Sequence, residues 1–148
     1  MIKAIIVDDE KLSRNTLKKL LEIYCPDVEV IAECDNAASA TIQVMQIQPE
    51  LVFLDVAMPG KNGIDFLKEL DDIKFEVIFV TAHDKYILQA IRLAAVDYLQ
   101  KPVDGQQLIT AVSNAAKRII QKSANYQVKT LLHNMQPKIN QQEMQLCI

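Results

Sequence analysis

The segment that decides the fold is residues 4–10, which read AIIVDDE. An unbroken apolar run of this length is typical of a strand buried on both faces of a parallel sheet. The run ends directly in Asp8 and Asp9, and a second run, LVFL at residues 51–54, ends in Asp55. In parallel sheets the functional site lies beyond the carboxyl ends of the strands. The two runs therefore predict that carboxylates from different strands meet at one edge of a sheet.

Two further predicted strands lead to groups that can bind phosphoryl oxygens. The apolar run VIFV at residues 77–80 is followed by Thr81, and the mixed segment VDYL at residues 96–99 leads to Lys101. A hydroxyl and an ammonium group both donate hydrogen bonds to such oxygens, and clustered carboxylates can hold Mg²⁺. This combination predicts a metal site in which a carboxylate is itself phosphorylated, with Asp55 as the candidate nucleophile.

The rest of the chain alternates between apolar runs and helical patterns, which predicts βαβ units. The predicted strands lie at residues 3–7, 28–33, 51–54, 76–80 and 96–99. The apolar faces of the predicted helices are Leu12, Leu17, Leu20, Leu21 and Tyr24; Ala40, Val44, Met45 and Ile47, after an N-cap at Asn36; Ile64, Leu67 and Leu70; Ile87, Leu88, Ile91 and Leu93; and, over residues 104–121, Leu108, Val112, Ala115, Ala116 and Ile119. We expect an α/β fold: a doubly wound, five-stranded parallel sheet with five helices, flavodoxin-like in topology, with strand order 2-1-3-4-5.

Length and composition limit the class of protein. The chain has 148 residues, enough for one compact domain, and its 50% hydrophobic and 24% charged content is ordinary for a soluble protein. No apolar stretch approaches the roughly 20 residues that a membrane span needs. The start lacks a signal-peptide pattern, and the three cysteines lack disulfide or zinc spacing. We expect a cytoplasmic protein without membrane contact.

Charge is distributed unevenly. Residues 1–116 carry 11 Lys/Arg against 18 Asp/Glu, a net charge of −7, whereas residues 117–148 carry 5 against 1, a net charge of +4. An acidic body argues against direct DNA contact by the main domain. Residues 123–142 are predicted to be a frayed helix that runs into a linker, and residues 143–148 alternate as a beginning strand does.

Taken one at a time, these residues also have ordinary structural explanations. An acid after a strand often caps a helix, a threonine at a strand end is commonly structural, and most lysines lie on the surface. Tyr98 alone would be read as a core tyrosine, and His83 as a surface histidine. GKNG at residues 60–63 lacks the spacing of a phosphate-binding loop.

The motifs together resemble the receiver domain of two-component response regulators. They are VDDE at residues 7–10, LD at 54–55 followed by MPG at 58–60 and Gly63, VTA at 80–82, and DYLQKP at 97–102. The resemblance covers residues 2–121 and leaves residues 122–148 as a helix extension and linker. TAHD at 81–84 with AVDYL at 95–99 is similar to the LytTR subfamily, whose output is a DNA-binding domain. We therefore expect a receiver that precedes a missing output domain.

The resemblance implies a role for each site residue. Asp55 would accept a phosphoryl group from a sensor histidine kinase, and Asp8, Asp9, Asp55 and the Ala57 carbonyl would hold Mg²⁺. Thr81 and Lys101 would bind the phosphoryl group, and Tyr98 would change orientation with Thr81. A homodimer would form through the fourth helix, fifth strand and fifth helix, at residues 85–93 and 104–119, and DNA would be contacted only through the missing output domain. Ala94 stands where many receivers have glycine.

Two other functions remain to be weighed. An aspartyl-phosphate phosphatase of the haloacid-dehalogenase type needs a second acid two residues after the nucleophile, where this chain has Ala57. An interaction module that is never phosphorylated is the alternative, although the complete set of acids with Thr81 and Lys101 argues against it. We expect no turnover enzyme, but a phosphoacceptor that assists its own phosphorylation and dephosphorylation.

Overall fold

The computed structural model describes residues 1–83, 92 and 95–143, with side chains up to residue 135. The chain divides into two compact units, Met1–Ala116 and Lys117–Ile148. The predicted domain boundary after residue 121 stays a prediction.

Five parallel strands form one sheet in the order β2-β1-β3-β4-β5. They are β1 (Ile2–Val7), β2 (Val28–Cys34), β3 (Leu51–Leu54), β4 (Glu76–Thr81) and β5 (Asp97–Gln100). The neighbouring strands β3 and β4 are buried along their whole length, as the apolar runs at residues 51–54 and 77–80 predict. The chain passes from β1 to β2 on one side and then returns to β3 on the other. The predicted strand order is confirmed, and its switch point lies between the strands that precede Asp8 and Asp55.

Four helices are present in the described part of the chain, not the five predicted. They are α1 (Lys11–Tyr24), α2 (Ala37–Ile47), α3 (Gly63–Glu69) and α4 (Gly105–Glu143). The predicted helix with Ile87, Leu88, Ile91 and Leu93 falls outside the described residues, as does Ala94. No helix among the described residues is both long and apolar enough to span a membrane.

Alternate residues of the strands build a core on each face of the sheet. Core residues on the face with α2 and α3 include Val7, Leu54, Phe79, Val44, Phe66 and Leu67. Core residues on the face with α1 and the start of α4 include Ile6, Phe53, Ile78, Leu17, Leu21, Leu108 and Val112. Leu12 and Met45 were predicted to be in the core but are 77% and 71% exposed. Each lies about a quarter turn or more around its helix from the residues that face the sheet.

The edge strand β2 departs from the predicted alternation. Its pairing with β1 shifts between Ala4 and Ile5, whose partners are Val30 and Ala32. Ile31 is the extra residue at this irregularity, and it packs with Ala32 against the same core. In the sequence, Val28, Val30 and Ala32 alternate with Glu29, Ile31 and Glu33, which predicts that Ile31 faces away from Ala32. This prediction is wrong, because one inserted residue interrupts a period of two.

The last helix continues further than the sequence pattern predicts. The pattern gives an amphipathic helix over residues 104–121 and a frayed helix running into a linker over residues 123–142, whereas the structure has one helix from Gly105 to Glu143. The segment from 117 to 135 has no Gly or Pro, and its Lys, Arg, Gln and Leu residues favour helix without a buried face. The strand predicted over residues 143–148 lies, apart from its first residue, outside the described part.

Candidate functional site

Backbone hydrogen bonds hold the chemically important residues at the carboxyl edge of the sheet. The Asp8 N–H donates to the Cys34 carbonyl at 3.0 Å, and the Asp55 N–H donates to the Val7 carbonyl at 2.8 Å. The Lys101 N–H donates to the carbonyl of Thr81 at 2.9 Å, and the Lys101–Pro102 peptide is cis. These bonds continue the strand pairing by one residue, so the loops that carry the acids and the lysine leave the sheet at fixed positions.

Three carboxylates meet at this edge. Asp8, Asp9 and Asp55 each offer one oxygen, and these oxygens lie within 4.8 Å of one another. Asp8 and Asp55 are buried, and the Asp9 Oδ1 is a buried oxygen for which the described residues provide no hydrogen-bond donor. Clustered negative charge and an unpartnered oxygen suit a hard cation such as Mg²⁺. The Ala57 N–H donates to Asp55 Oδ1 at 3.0 Å, and a ligand role for the Ala57 carbonyl stays a prediction.

Lys101 neutralises part of this charge. Its Nζ donates to Asp8 Oδ2 at 2.8 Å, to Asp55 Oδ2 at 3.2 Å and to Ser13 Oγ at 3.2 Å. Burial by itself lowers the pKa of the Lys101 ammonium, but the hydrogen bond to Asp8 and the charges of Asp55 and Asp8 outweigh burial and raise this pKa above its usual value. Lys101 is therefore a fully charged cation that pairs with the candidate nucleophile.

Thr81 and Tyr98 are connected through the backbone of His83. The Thr81 hydroxyl is fully buried and accepts a hydrogen bond from the His83 N–H at 3.3 Å. Tyr98 is a half-buried residue whose hydroxyl donates to the His83 carbonyl, and its ring lies 6.0 Å from that of Phe79. The His83 side chain is exposed, as predicted for a surface histidine. Phosphoryl binding by Thr81 and reorientation of Tyr98 stay predictions.

Arg14 and Ser13, in the first turns of α1, also lie at this edge, although no sequence motif pointed to them. The Arg14 Nη1 donates to the Asp8 carbonyl at 2.7 Å, and its Nε pairs with Glu33 at 3.2 Å. Lys18 also pairs with Glu33, at 2.9 Å. The sequence contains a signal for these two residues: α1 begins three residues after Asp8, so the first polar side chains of the helix must lie at the same edge of the sheet.

Comparison with known proteins agrees with this geometry. Residues 4–113 match the family described as "Response regulator receiver domain". The chain belongs to this family. The receiver is 38% identical over 120 residues to the sensory transduction protein LytT of Bacillus cereus, covering 80% of this chain and 48% of that protein. It is 36% identical over 137 residues to the transcriptional regulatory protein BtsR of Salmonella typhi, covering 92% of this chain and 55% of that protein.

Among solved structures, the receiver resembles the REC domain of AraT, a response regulator from Geobacillus stearothermophilus. The TM-score is 0.73 at 28% identity, and the alignment covers 82% of this chain and 98% of that domain. The similarity therefore extends over a complete receiver domain. The receiver chain spans about half the length of the curated relatives that it matches.

The ion pairs of Glu33 with Arg14 and Lys18, here called the Arg14 network, predict a stability that depends on pH. A hydrogen bond from Lys18, together with the charges of Lys18 and Arg14, lowers the pKa of Glu33 below its usual value despite its partial burial. A lowered pKa adds stability that is present above the unfolded-state pKa and is lost as pH falls through the folded-state pKa. We expect Glu33→Gln to lower the free energy of unfolding by less than about 1 kcal/mol at pH 7. Urea denaturation should show this difference disappearing below about pH 4.

A matched control for this effect is Glu69→Gln. Glu69 pairs only with Lys61 in the described contacts, and its side chain is 52% exposed. Exposed pairs of this kind contribute little, so the control should match the wild type at both pH values. Equal effects of the two substitutions would show that the Arg14 network adds nothing specific.

Removal of one carboxylate should have opposite effects with and without metal. Asp9→Asn eliminates one negative charge from the cluster at Asp8 and Asp55. Without divalent cations we expect the variant to be more stable than the wild type by about 1 kcal/mol, because repulsion between like charges is reduced. The wild type should gain stability when Mg²⁺ is added, and the variant should gain little. Urea denaturation in EDTA and in Mg²⁺ measures both; a Mg²⁺ response retained by the variant would contradict a ligand role for Asp9.

Proposed function

We propose that this receiver accepts a phosphoryl group on Asp55 from a sensor histidine kinase and passes the signal to an output domain. The observation that carries the proposal is the convergence of Asp8, Asp9, Asp55 and Lys101 at one edge of the sheet. Such an arrangement combines a nucleophilic carboxylate, a set of metal ligands and a fixed cation. We propose no turnover of a separate substrate; the receiver assists its own phosphorylation and dephosphorylation.

The chemistry follows from charge. An Asp55 carboxylate oxygen attacks phosphorus, a new O–P bond forms, and the bond from phosphorus to the donor's leaving group breaks. Mg²⁺, held by Asp8, Asp9 and Asp55 with the Ala57 carbonyl, would neutralise charge on the transferred group. Lys101 already lies 3.2 Å from Asp55 Oδ2 and carries a full positive charge. It can transfer its hydrogen bond from that carboxylate to a phosphoryl oxygen with little movement.

The signal would leave the site through Thr81 and Tyr98. A phosphoryl group adds strong acceptor oxygens, and the Thr81 hydroxyl can donate to one of them. His83 accepts from Tyr98 and donates to Thr81, so a shift of this backbone changes both contacts. Tyr98 also lines a groove of about 450 Å³ between β5 and the start of α4. This groove belongs to the face through which we propose that two phosphorylated receivers associate.

The proposed function is tested by intact mass spectrometry after incubation with Mg²⁺ and acetyl phosphate. We expect one phosphoryl adduct that is lost at alkaline pH, as an acyl phosphate is, and no adduct when EDTA replaces Mg²⁺. If the protein binds Mg²⁺ but gains no adduct from acetyl phosphate, phosphoryl transfer without a kinase is contradicted. Addition of a kinase would then separate a strict kinase requirement from an interaction module that is never phosphorylated, which the family match does not favour.

Association is tested by sedimentation equilibrium with and without beryllofluoride, a phosphoryl mimic. The monomer has a mass of 16.7 kDa. We expect the mimic with Mg²⁺ to shift the average mass toward about twice that value, because a phosphoryl-selective conformation changes population only through differential binding. An unchanged mass at high protein concentration would rule out a dimer of this chain.

The output is proposed to be transcriptional. LytT and BtsR are named as sensory transduction and transcriptional regulatory proteins, and the chain covers about half of each. We propose that the receiver is of the LytTR type, works in the cytoplasm, and influences DNA only through an output domain. The net charge of −7 over residues 1–116 supports the absence of direct DNA contact.

A further inference from the structure

Ser13 is a third partner of the Lys101 ammonium group, and it differs from the other two in charge. An ammonium group has three N–H donors, and those of Lys101 are directed at Asp8, Asp55 and Ser13. The Ser13 Oγ lies 3.2 Å from Nζ, the same distance as the Asp55 oxygen. All three donors are thus used, and one of them is directed at a neutral hydroxyl.

In the proposed chemistry, both carboxylate partners of Lys101 take on other bonds. Asp55 loses its charge to the new O–P bond, and Asp8 belongs to the cluster that suits a cation. Ser13 neither forms the O–P bond nor belongs to the carboxylate cluster. It lies in the first turn of α1, whose start is held by the Arg14 contact to the Asp8 carbonyl at 2.7 Å. Ser13 can therefore hold the ammonium group in place when the carboxylates change partners.

We infer that Ser13 is a positioning residue that orients the Lys101 ammonium group toward the oxygens of the phosphoryl group on Asp55. This inference rests on the proposed function. The half-buried Lys101 side chain has long, flexible stem torsions, and one additional fixed acceptor restricts where its charge lies. Loss of the Ser13 hydroxyl keeps the positive charge of Lys101 in the site but no longer restricts the direction in which the ammonium group points.

The first measurement needs neither metal nor phosphoryl transfer. In EDTA, the acetylation rate of Lys101 by acetic anhydride is followed by peptide mass spectrometry, with the exposed Lys129 as internal reference. We expect Ser13→Ala to increase the relative rate at Lys101 by about tenfold, the lower end of what one hydrogen bond to a charged group contributes. Ser13→Thr, which keeps the hydroxyl, should restore the wild-type rate. Ser113→Ala, an exposed serine on α4, is the matched control and should have no effect.

The second measurement is the rate of adduct formation with acetyl phosphate and Mg²⁺. We expect Ser13→Ala to slow it by up to about tenfold and Ser13→Thr to recover it. Unchanged Lys101 reactivity in Ser13→Ala, or a change that Ser13→Thr does not reverse, would overturn the positioning role. A wild-type protein without any adduct would instead contradict the proposed function, while the acetylation rates would still decide whether Ser13 holds Lys101. Thermal melting of each variant shows that the fold is retained.

Discussion

Asp55→Asn is expected to reduce the phosphoryl adduct to background while leaving the receiver folded. An amide has no anionic oxygen, so it cannot attack phosphorus as a carboxylate does. The backbone position does not depend on the side chain, because the Asp55 N–H is bonded to the Val7 carbonyl at 2.8 Å. The variant loses its ion pair with Lys101 but also loses repulsion from two acids, so we expect stability within about 1 kcal/mol of wild type. Intact mass and urea denaturation measure the two effects.

The matched control for this substitution is Asp72→Asn. It makes the same chemical change at a side chain that is 72% exposed and whose ion pair with Lys74 is long, at 3.9 Å. We expect full phosphorylation of this variant. An adduct that persists in Asp55→Asn would place the phosphoacceptor on another carboxylate of the cluster, and peptide mapping would distinguish Asp8 from Asp9.

Those parts of the fold that depend on strand periodicity could be predicted from the sequence. Four-residue apolar runs identify buried parallel strands, and the position of each charged residue at the end of a run places it at the same edge. This is why Asp8, Asp55 and Lys101 could be brought together before any contact was known. The Lys101 contacts confirm that convergence. Their chemical roles come from resemblance and stay predictions.

The remaining features depend on interactions that no local pattern records. The irregular pairing of β2 adds one residue, and Ile31 changes face without any change in its own sequence context. Arg14 and Ser13 are ordinary polar residues of an amphipathic helix until the fold places them beside Asp8 and Lys101. The extent of α4 depends on helix propensity over a polar segment, where hydrophobic periodicity gives little information.

Gly63→Ala is expected to lower the free energy of unfolding by about 3 kcal/mol, the upper range for overpacking. A Cβ built at Gly63 would lie 2.5 Å from the Asp55 carbonyl oxygen and 3.1 Å from the Val56 Cα. Both are backbone atoms, and the hydrogen bond from the Asp55 N–H to the Val7 carbonyl ties this backbone to the sheet, so they cannot move away as the tip of a side chain could. Gly63 also donates its N–H to the Val56 carbonyl at 2.9 Å, which keeps the loop close to the nucleophile. Urea denaturation measures the loss.

Gly60→Ala separates crowding from backbone conformation in the same loop. Gly60 has a φ of +76°, and a Cβ there would meet nothing within 4 Å. Its replacement should cost about 1 kcal/mol, the penalty for a left-handed backbone with a side chain, and should leave the rate of adduct formation unchanged. Gly63→Ala should also slow adduct formation, because relief of its contact must move Asp55 relative to Lys101. Equal losses of stability in the two variants, with unchanged rates, would mean that the loop relaxes and that its packing does not hold the nucleophile in position.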